Sequence, residues 1–512
     1  MDARVDKPDN ANFPIAIIGA GFSGLGMAIR LKQAGIESFT LFERADEVGG
    51  TWRDNAYPGA ACDVSSHLYS FSFEQKPDWS RAFAEQPEIQ QYILELTEKH
   101  GLRSHVRFNT EIVKAVFDQG SGLWTLYDRA GQHWRARALI SGTGGLSDPK
   151  IPEIEGLEHF EGPMFHTARW DAACDLRGKR VAVIGSGASA IQVVPAIAPE
   201  VAELKVFQRT PPWIMPKMDR PMREAEKRRY RRFPPALWLR RLWLYWAAEL
   251  RAPLLISNRP LFKRLLRRLA LKHIQSQVSD PALRQRVIPD YNVGCKRVLI
   301  SNDWYPALQR ENVSLIDQGV KAVTSHGVVA SDGSEHDVDV IVLATGFNTP
   351  TAAAPLDIRG LGGVTLNEAW RNGSEAYKGV TVSGFPNLFL LVGPNTGPGH
   401  TSVLVYLEKQ LDYVMQALDY MRRHRLKYLN VLPEVQKDFN DWLQARMQDT
   451  VWVAGGCDSW YITEDGKNTS LYPGFATDYR LRVSRFRPAE YQRVALLEQS
   501  SDSTTRTVTD TA

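Results

Sequence analysis

Apolar positions along this chain follow two alternating patterns. Short runs rich in β-branched and apolar residues, at 15–18, 38–43, 180–184, 204–208, 338–343 and 387–392, predict strands. Between them lie segments whose apolar residues recur three and four apart, as on one face of a helix. The longest of these runs from 401 to about 424 and sets Leu404, Leu407, Leu411, Val414, Met415 and Leu418 on one buried stripe. Such alternation predicts an α/β fold. Residues 217–291 break it: they have helical spacing, many Arg and Trp residues and few strand signals, and predict a helical insertion. Residues 1–12 and 499–512 are polar and predict loose ends.

Two of the predicted strands run into glycine turns. Pro14-Ile-Ala-Ile-Ile-Gly19-Ala-Gly21-Phe-Ser-Gly24 reads as strand, turn and helix start. Gly19 permits the tight turn, Gly21 lets backbone approach a pyrophosphate, and Gly24 allows close helix–strand packing. The free N–H groups at the helix start then face the phosphates. The next strand ends in Glu43, whose carboxylate can accept ribose hydroxyls. A second copy, Val181-Ala-Val-Ile-Gly185-Ser186-Gly187-Ala-Ser189-Ala190, leads through a helix to Leu204-Lys-Val-Phe-Gln-Arg209. Both copies place a charge 24 positions after the first glycine, but its sign is opposite. An acid repels a 2′-phosphate and suits FAD or NAD, whereas the guanidinium of Arg209, with Thr210 beside it, favours NADP.

Two copies in register predict two Rossmann-like dinucleotide-binding domains and electron traffic from NADPH to a flavin. Residues 1–148 and 345–512 then form a discontinuous FAD-binding domain. Residues 149–216 and 292–344 form the NADP-binding domain, interrupted by the insertion at 217–291.

Composition narrows the class further. The chain has 512 residues, 43% of them apolar and 23% charged, enough for a large core. Sixty-two basic against 58 acidic residues leave +4, little electrostatic footprint for nucleic acid. Cys62, Cys174, Cys295 and Cys457 are far apart, with no CxxC pair. That argues against a disulfide scaffold, a zinc site and a dithiol reductase, and suits a reducing cytoplasm. The N-terminus lacks an apolar signal core, and no uncharged apolar run approaches the roughly 20 residues of a membrane span. A cytoplasmic enzyme without a metal is expected.

Phe160-Glu-Gly162-Pro-Met-Phe-His166-Thr-Ala-Arg-Trp170-Asp171 lies just before the second glycine turn. It resembles the F-x-G-x-x-x-H-x-x-x-W-[P/D] fingerprint of Baeyer–Villiger monooxygenases. Gly49-Gly-Thr51-Trp52 and Tyr57-Pro-Gly-Ala-Ala-Cys-Asp63 are similar to that family's flavin-side segments. Ala344-Thr-Gly-Phe347 and Gly384-Phe-Pro-Asn387 resemble its later segments. Gly294-Cys-Lys296-Arg297-Val-Leu, followed by Asn302-Asp-Trp-Tyr305 and Arg310-Glu-Asn-Val313, resembles its Lys-Arg segment. One departure is Gly142-Thr-Gly144, preceded by Ser141, where Ala-Thr-Gly is usual.

The resemblance implies roles. Arg297 takes the place of the catalytic arginine and Asp63 that of the acid holding it. Lys296 is a second contact to the NADP phosphate, with Ser186 and Ser189 in the turn, and Thr51 and Trp52 contact FAD. His166 stands at a domain junction with a conformational role, and Trp170 reads equally as interface packing. The implied reaction consumes NADPH and dioxygen and converts a ketone into an ester or lactone, with a lean towards hydrophobic, open-chain aliphatic ketones. Two alternatives remain open: a flavin N- or S-oxygenase, against which Trp170, Asp171 and Arg297 speak, and a non-catalytic redox sensor. Basic and aromatic residues at 223–272 can lie on an anionic membrane. The favoured expectation is instead a pair of helices over the active site with arginines in solvent.

Overall fold

The computed structural model describes residues 13–348 and 356–496, apart from 458, 460, 464 and 465. The predicted loose ends at 1–12 and 499–512, and the parts of the domain ranges that fall on 349–355 and 497–512, lie outside the described residues.

The chain begins one parallel sheet with β1 (Ile15–Ile18), β2 (Phe39–Phe42), β3 (Val106–Arg107) and β4 (Ala138–Ser141). It leaves to build a second with β5 (Met164–His166), β6 (Arg180–Ile184), β7 (Glu203–Phe207), β8 (Val313–Ile316) and β9 (Val340–Leu343). It then returns to complete the first with β10 (Leu388–Leu390). Strand order is β10-β4-β1-β2-β3 in the first sheet and β8-β7-β6-β9-β5 in the second, and every pairing is parallel. The central strands are buried at all four residues of β1, β4 and β9, as expected where helices cover both faces.

Helix α1 (Phe22–Gln33) follows the first turn and buries Leu25, Met27, Ala28, Ile29 and Leu31. Helix α2 (Ala190–Ile197) follows the second. The insertion is helical: α3 (Glu224–Arg232), α4 (Pro234–Ile256), α5 (Pro260–Gln277) and α6 (Pro281–Arg286). The long predicted helix is α7 (Val403–Arg423), capped by Ser402, whose Oγ accepts from Leu404 N at 3.2 Å. Its stripe packs beside α1, although Met415 is only half-buried. Burying each stripe leucine contributes about 2 kcal/mol. Helix α8 (Ala476–Val483) packs on α7.

The two chain crossings between the sheets run side by side. Pro149 bridges Phe347, Lys150 N donates to Gly346 O at 2.8 Å, and Asn348 N donates to Asp148 O at 3.0 Å.

The insertion only partly matches its expectation. Helix α4 buries Leu237, Leu244, Tyr245, Ala248 and Ala252 and also Arg241, which donates to His67 O and Ser70 O, yet turns Trp238, Trp243 and Trp246 to solvent. Among the described residues no helix is long and apolar enough to cross a membrane.

Candidate active site

Strand β1 delivers its chain into the first turn with Gly19 at φ 93°. A Cβ there would meet Gly142 O at 2.7 Å, and one on Gly24 would sit 1.9 Å from Gly19 O, so neither place admits a side chain. Gly21 differs. Its nearest neighbour would be Gly50 Cα at 3.6 Å, which leaves space before the first N–H groups of α1. Glu43 is buried at the end of β2. Its Oε2 accepts from Ala20 N at 2.9 Å; its Oε1 accepts from Ala45 N at 3.0 Å and Arg53 Nη1 at 2.9 Å. The carboxylate is therefore held by the turn it serves, and Oε2 retains capacity for a further donor. Thr51 opens the short helical turn Thr51–Asp54, and Trp52 Nε1 donates to Tyr69 OH at 3.1 Å.

The second turn repeats the geometry with looser packing. A Cβ on Gly185 would meet Ala344 O at 2.4 Å, whereas one on Gly187 would meet nothing within 4 Å. Helix α2 starts only at Ala190, so the chain from Ser186 to Ser189 is an open loop. The Ser186 hydroxyl donates to Thr210 O at 2.9 Å and joins the loop to the end of β7; Ser189 precedes α2 without a side-chain capping bond. Arg209 is exposed there and makes no ion pair among the described residues. A space that a Cβ would fill before each helix, with a held acid in one half and a free guanidinium in the other, fits FAD in the first turn and NADP in the second.

Asp63 and Arg297 come from opposite halves and meet. Arg297 Nε donates to Asp63 Oδ2 at 3.0 Å, and Arg297 Nη2 bonds the same oxygen. The Asp63 carboxylate holds the guanidinium pKa above its ordinary value despite desolvation. The side chains are 45% and 33% exposed, so the pair borders open space rather than filling the core.

Long-range contacts position both partners. The loop before Asp63 is clamped to α2: Tyr57 OH donates to Gln192 Oε1 at 2.7 Å, and Gln192 Nε2 donates to Ala61 O at 2.9 Å. A Cβ on Gly59 would meet Gln192 O at 2.6 Å. On the other side, Lys263 Nζ of α5 donates to Val293 O at 3.1 Å, and Asn292 Nδ2 donates to Gly455 O at 3.0 Å. Lys296 Nζ lies 5.0 Å from the Tyr291 ring centroid, a cation–π contact.

Cysteine spacing argues against a disulfide scaffold; one long-range bond is nonetheless present, between Cys295 and Cys457, with Cα atoms 6.2 Å apart. They stand 162 residues apart, and only folding brings such a pair together. Cys62 and Cys174 are free. Cys62 adjoins Asp63, and burial pushes its thiol pKa up. Tyr461 feels the Arg297–Asp63 charges, and burial pushes its phenol up to about 12. Gln192, Tyr69 and Tyr461 carry no local signature, and the sequence reading did not single them out.

The fingerprint residues line the second sheet. Phe160 packs into the cluster under β5 and β9, and a Cβ on Gly162 would meet Asp339 O at 2.5 Å. His166 is buried at the end of β5, opposite Leu343 of β9 and edge-on to Phe347 at 5.6 Å, beside the chain crossings. Its Nδ1 accepts from Ala168 N at 3.1 Å, and burial lowers its pKa. Trp170 stacks edge-on against Phe165 at 4.9 Å, a packing contact, and Asp171 Oδ1 accepts from Ala173 N at 2.9 Å.

A buried pair went unforeseen. Glu249 of α4 bonds His400 Nε2 at 2.8 Å and accepts from Ala476 N and Thr477 N at the start of α8, each at 3.0 Å. Burial works against this carboxylate, but bonds from His400 and Thr477 outweigh it and pull its pKa to about 2. Among the described residues no group of three His, Cys, Asp or Glu side chains could hold a metal ion.

Residues 13–233 match the model of the flavin-binding monooxygenase-like family. A Baeyer–Villiger monooxygenase of Pseudomonas aeruginosa is 50% identical over 481 residues, covering 93% of this chain and 90% of that protein. Another, from Streptomyces coelicolor, is 43% identical over 487 residues, covering 93% and 92%. The solved structure of OTEMO in complex with FAD and NADP superposes with a TM-score of 0.85 at 29% identity, covering 95% of this chain and all of that one.

Proposed function

The chain belongs to the Baeyer–Villiger monooxygenase family, and from that premise we propose that Arg297, held by Asp63, makes its oxygen transfer to a ketone possible. The enzyme is an FAD- and NADPH-dependent monooxygenase that inserts one oxygen atom of dioxygen into a ketone, giving an ester or lactone. Gly19, Gly21, Gly24, Glu43, Thr51 and Trp52 hold FAD. Gly185, Ser186, Gly187, Ser189, Arg209, Thr210 and Lys296 hold NADP. Residues 1–148 and 345–512 thus serve the flavin, and 149–216 and 292–344 the nicotinamide cofactor. When bound, FAD reduced by NADPH supplies the activation of dioxygen.

The chain's own part is electrostatic. Arg297 sits between the halves with its charge secured by Asp63, so it remains cationic throughout the working pH range. A fixed guanidinium stabilises negative charge developing on oxygen as the ketone carbonyl is attacked. Asp63 limits its motion, and the Gln192 clamp fixes Asp63 relative to the NADP half. Cys62 and Tyr461, both buried, lie close enough to feel the charges of this pair. The family resemblance leans towards hydrophobic substrates, and we infer open-chain aliphatic ketones.

The observation that carries this reading is the Asp63–Arg297 contact across the two halves. Arg297→Ala is expected to keep flavin reduction by NADPH, followed by flavin absorbance in stopped flow, and to lose ester formation by at least about 100-fold. Normal ester yield from that variant removes Arg297 from the chemistry.

A further inference from the structure

We propose that the outer face of α4, with the start of α5, docks on an anionic phospholipid surface and seats the enzyme peripherally on a membrane. Leu239, Trp243, Trp246 and Leu250 recur at helical spacing on the side of α4 opposite its buried face. Trp243 is 59% exposed, Trp246 50% and Leu250 79%. Leu261 and Leu265 extend exposed apolar surface onto the next helix. A patch of large apolar side chains on consecutive helices marks an interaction site. The helix itself is firmly placed, because Glu249 pins its inner face to His400 and α8.

Charge selects the partner. Residues 228–272 hold 13 Arg and Lys residues, two of them (Arg241 and Lys263) buried, and one acid, Glu249, also buried. The whole chain carries only +4, so the rest of it is net acidic. Arg259, Arg264, Arg267 and Arg268 are exposed and make no ion pair among the described residues. The Arg240 guanidinium lies 4.7 Å from the Trp243 ring centroid, a pairing of aromatic and cation suited to a headgroup layer. A second copy of the chain would set these arginines against each other, and a nucleic acid would leave the apolar stripe in water. An anionic bilayer interface satisfies both the charge and the stripe. With no helix able to cross, the contact is peripheral. None of this depends on the role of Arg297.

The test uses FAD-loaded enzyme sedimented with vesicles of phosphatidylcholine, with or without phosphatidylglycerol. Cosedimentation with the anionic vesicles and a blue shift of tryptophan emission are expected. Trp243→Ser with Trp246→Ser should lower partitioning at least about tenfold. Each of Arg264→Glu and Arg268→Glu should lower it about fivefold. Ketone-dependent NADPH oxidation without vesicles should stay unchanged in all of them, which separates lost docking from lost folding. Absence of wild-type cosedimentation overturns the proposal, as does binding that ignores phosphatidylglycerol or survives loss of both tryptophans. A concentration-dependent dimer that the tryptophan substitutions dissolve would overturn it in favour of a second copy.

Discussion

The two glycine turns share a register but not a character. In the first, Gly24 packs where a Cβ would lie 1.9 Å from Gly19 O, α1 starts directly after the turn, and Glu43 is buried among three protein donors. In the second, Ala190 stands where Gly24 does, α2 starts late, Gly187 faces open space and Arg209 waits unpaired. One half is organised by the chain itself, while the other leaves its charge for a ligand to complete. That difference suits a resident flavin beside a nicotinamide cofactor that must exchange.

Substitutions that should treat the halves unequally test the contrast. The largest effect is expected from Gly24→Ala, where the methyl group meets backbone. About 3 kcal/mol of stability and most of the bound flavin should be lost, read by denaturant unfolding and flavin absorbance. Full flavin content in this variant would mean the first turn is no tighter than the second. Arg209→Ala removes a charge-assisted contact worth about 1.5–3 kcal/mol, so KM for NADPH should rise roughly tenfold or more while KM for NADH hardly moves. Equal rises would refute the 2′-phosphate contact. Glu43→Gln keeps the shape but weakens the bonds at the end of β2. A loss of about 1 kcal/mol and faster flavin release in a dilution assay are expected. Gly187→Ala should leave stability within about 0.5 kcal/mol, because its Cβ meets no protein atom. Its effect belongs to NADPH affinity alone; a destabilised variant would show that this turn is closed after all.

Local pattern carried much of the fold. Strands such as Ile15–Ile18 are legible because a strand buried on both faces must be apolar at every position. The stripe of α7 is legible because burial recurs with the helical period. Ends drifted by a residue or two: the run at 338–343 forms a strand only over Val340–Leu343. The site was legible in a different way. Asp63 and Arg297 are 234 positions apart, and nothing in the spacing predicts their contact; the family resemblance did. The Gln192 clamp, the Glu249–His400 pair and the Cys295–Cys457 bond join distant segments without any repeat or motif, so the sequence was silent about them.

The paired crossings at Pro149 and Phe347 have a mechanical consequence. Both connections between the halves meet along one short stretch of backbone pairing. A substitution at this seam, such as at Pro149, therefore disturbs both tethers of the nicotinamide half at once.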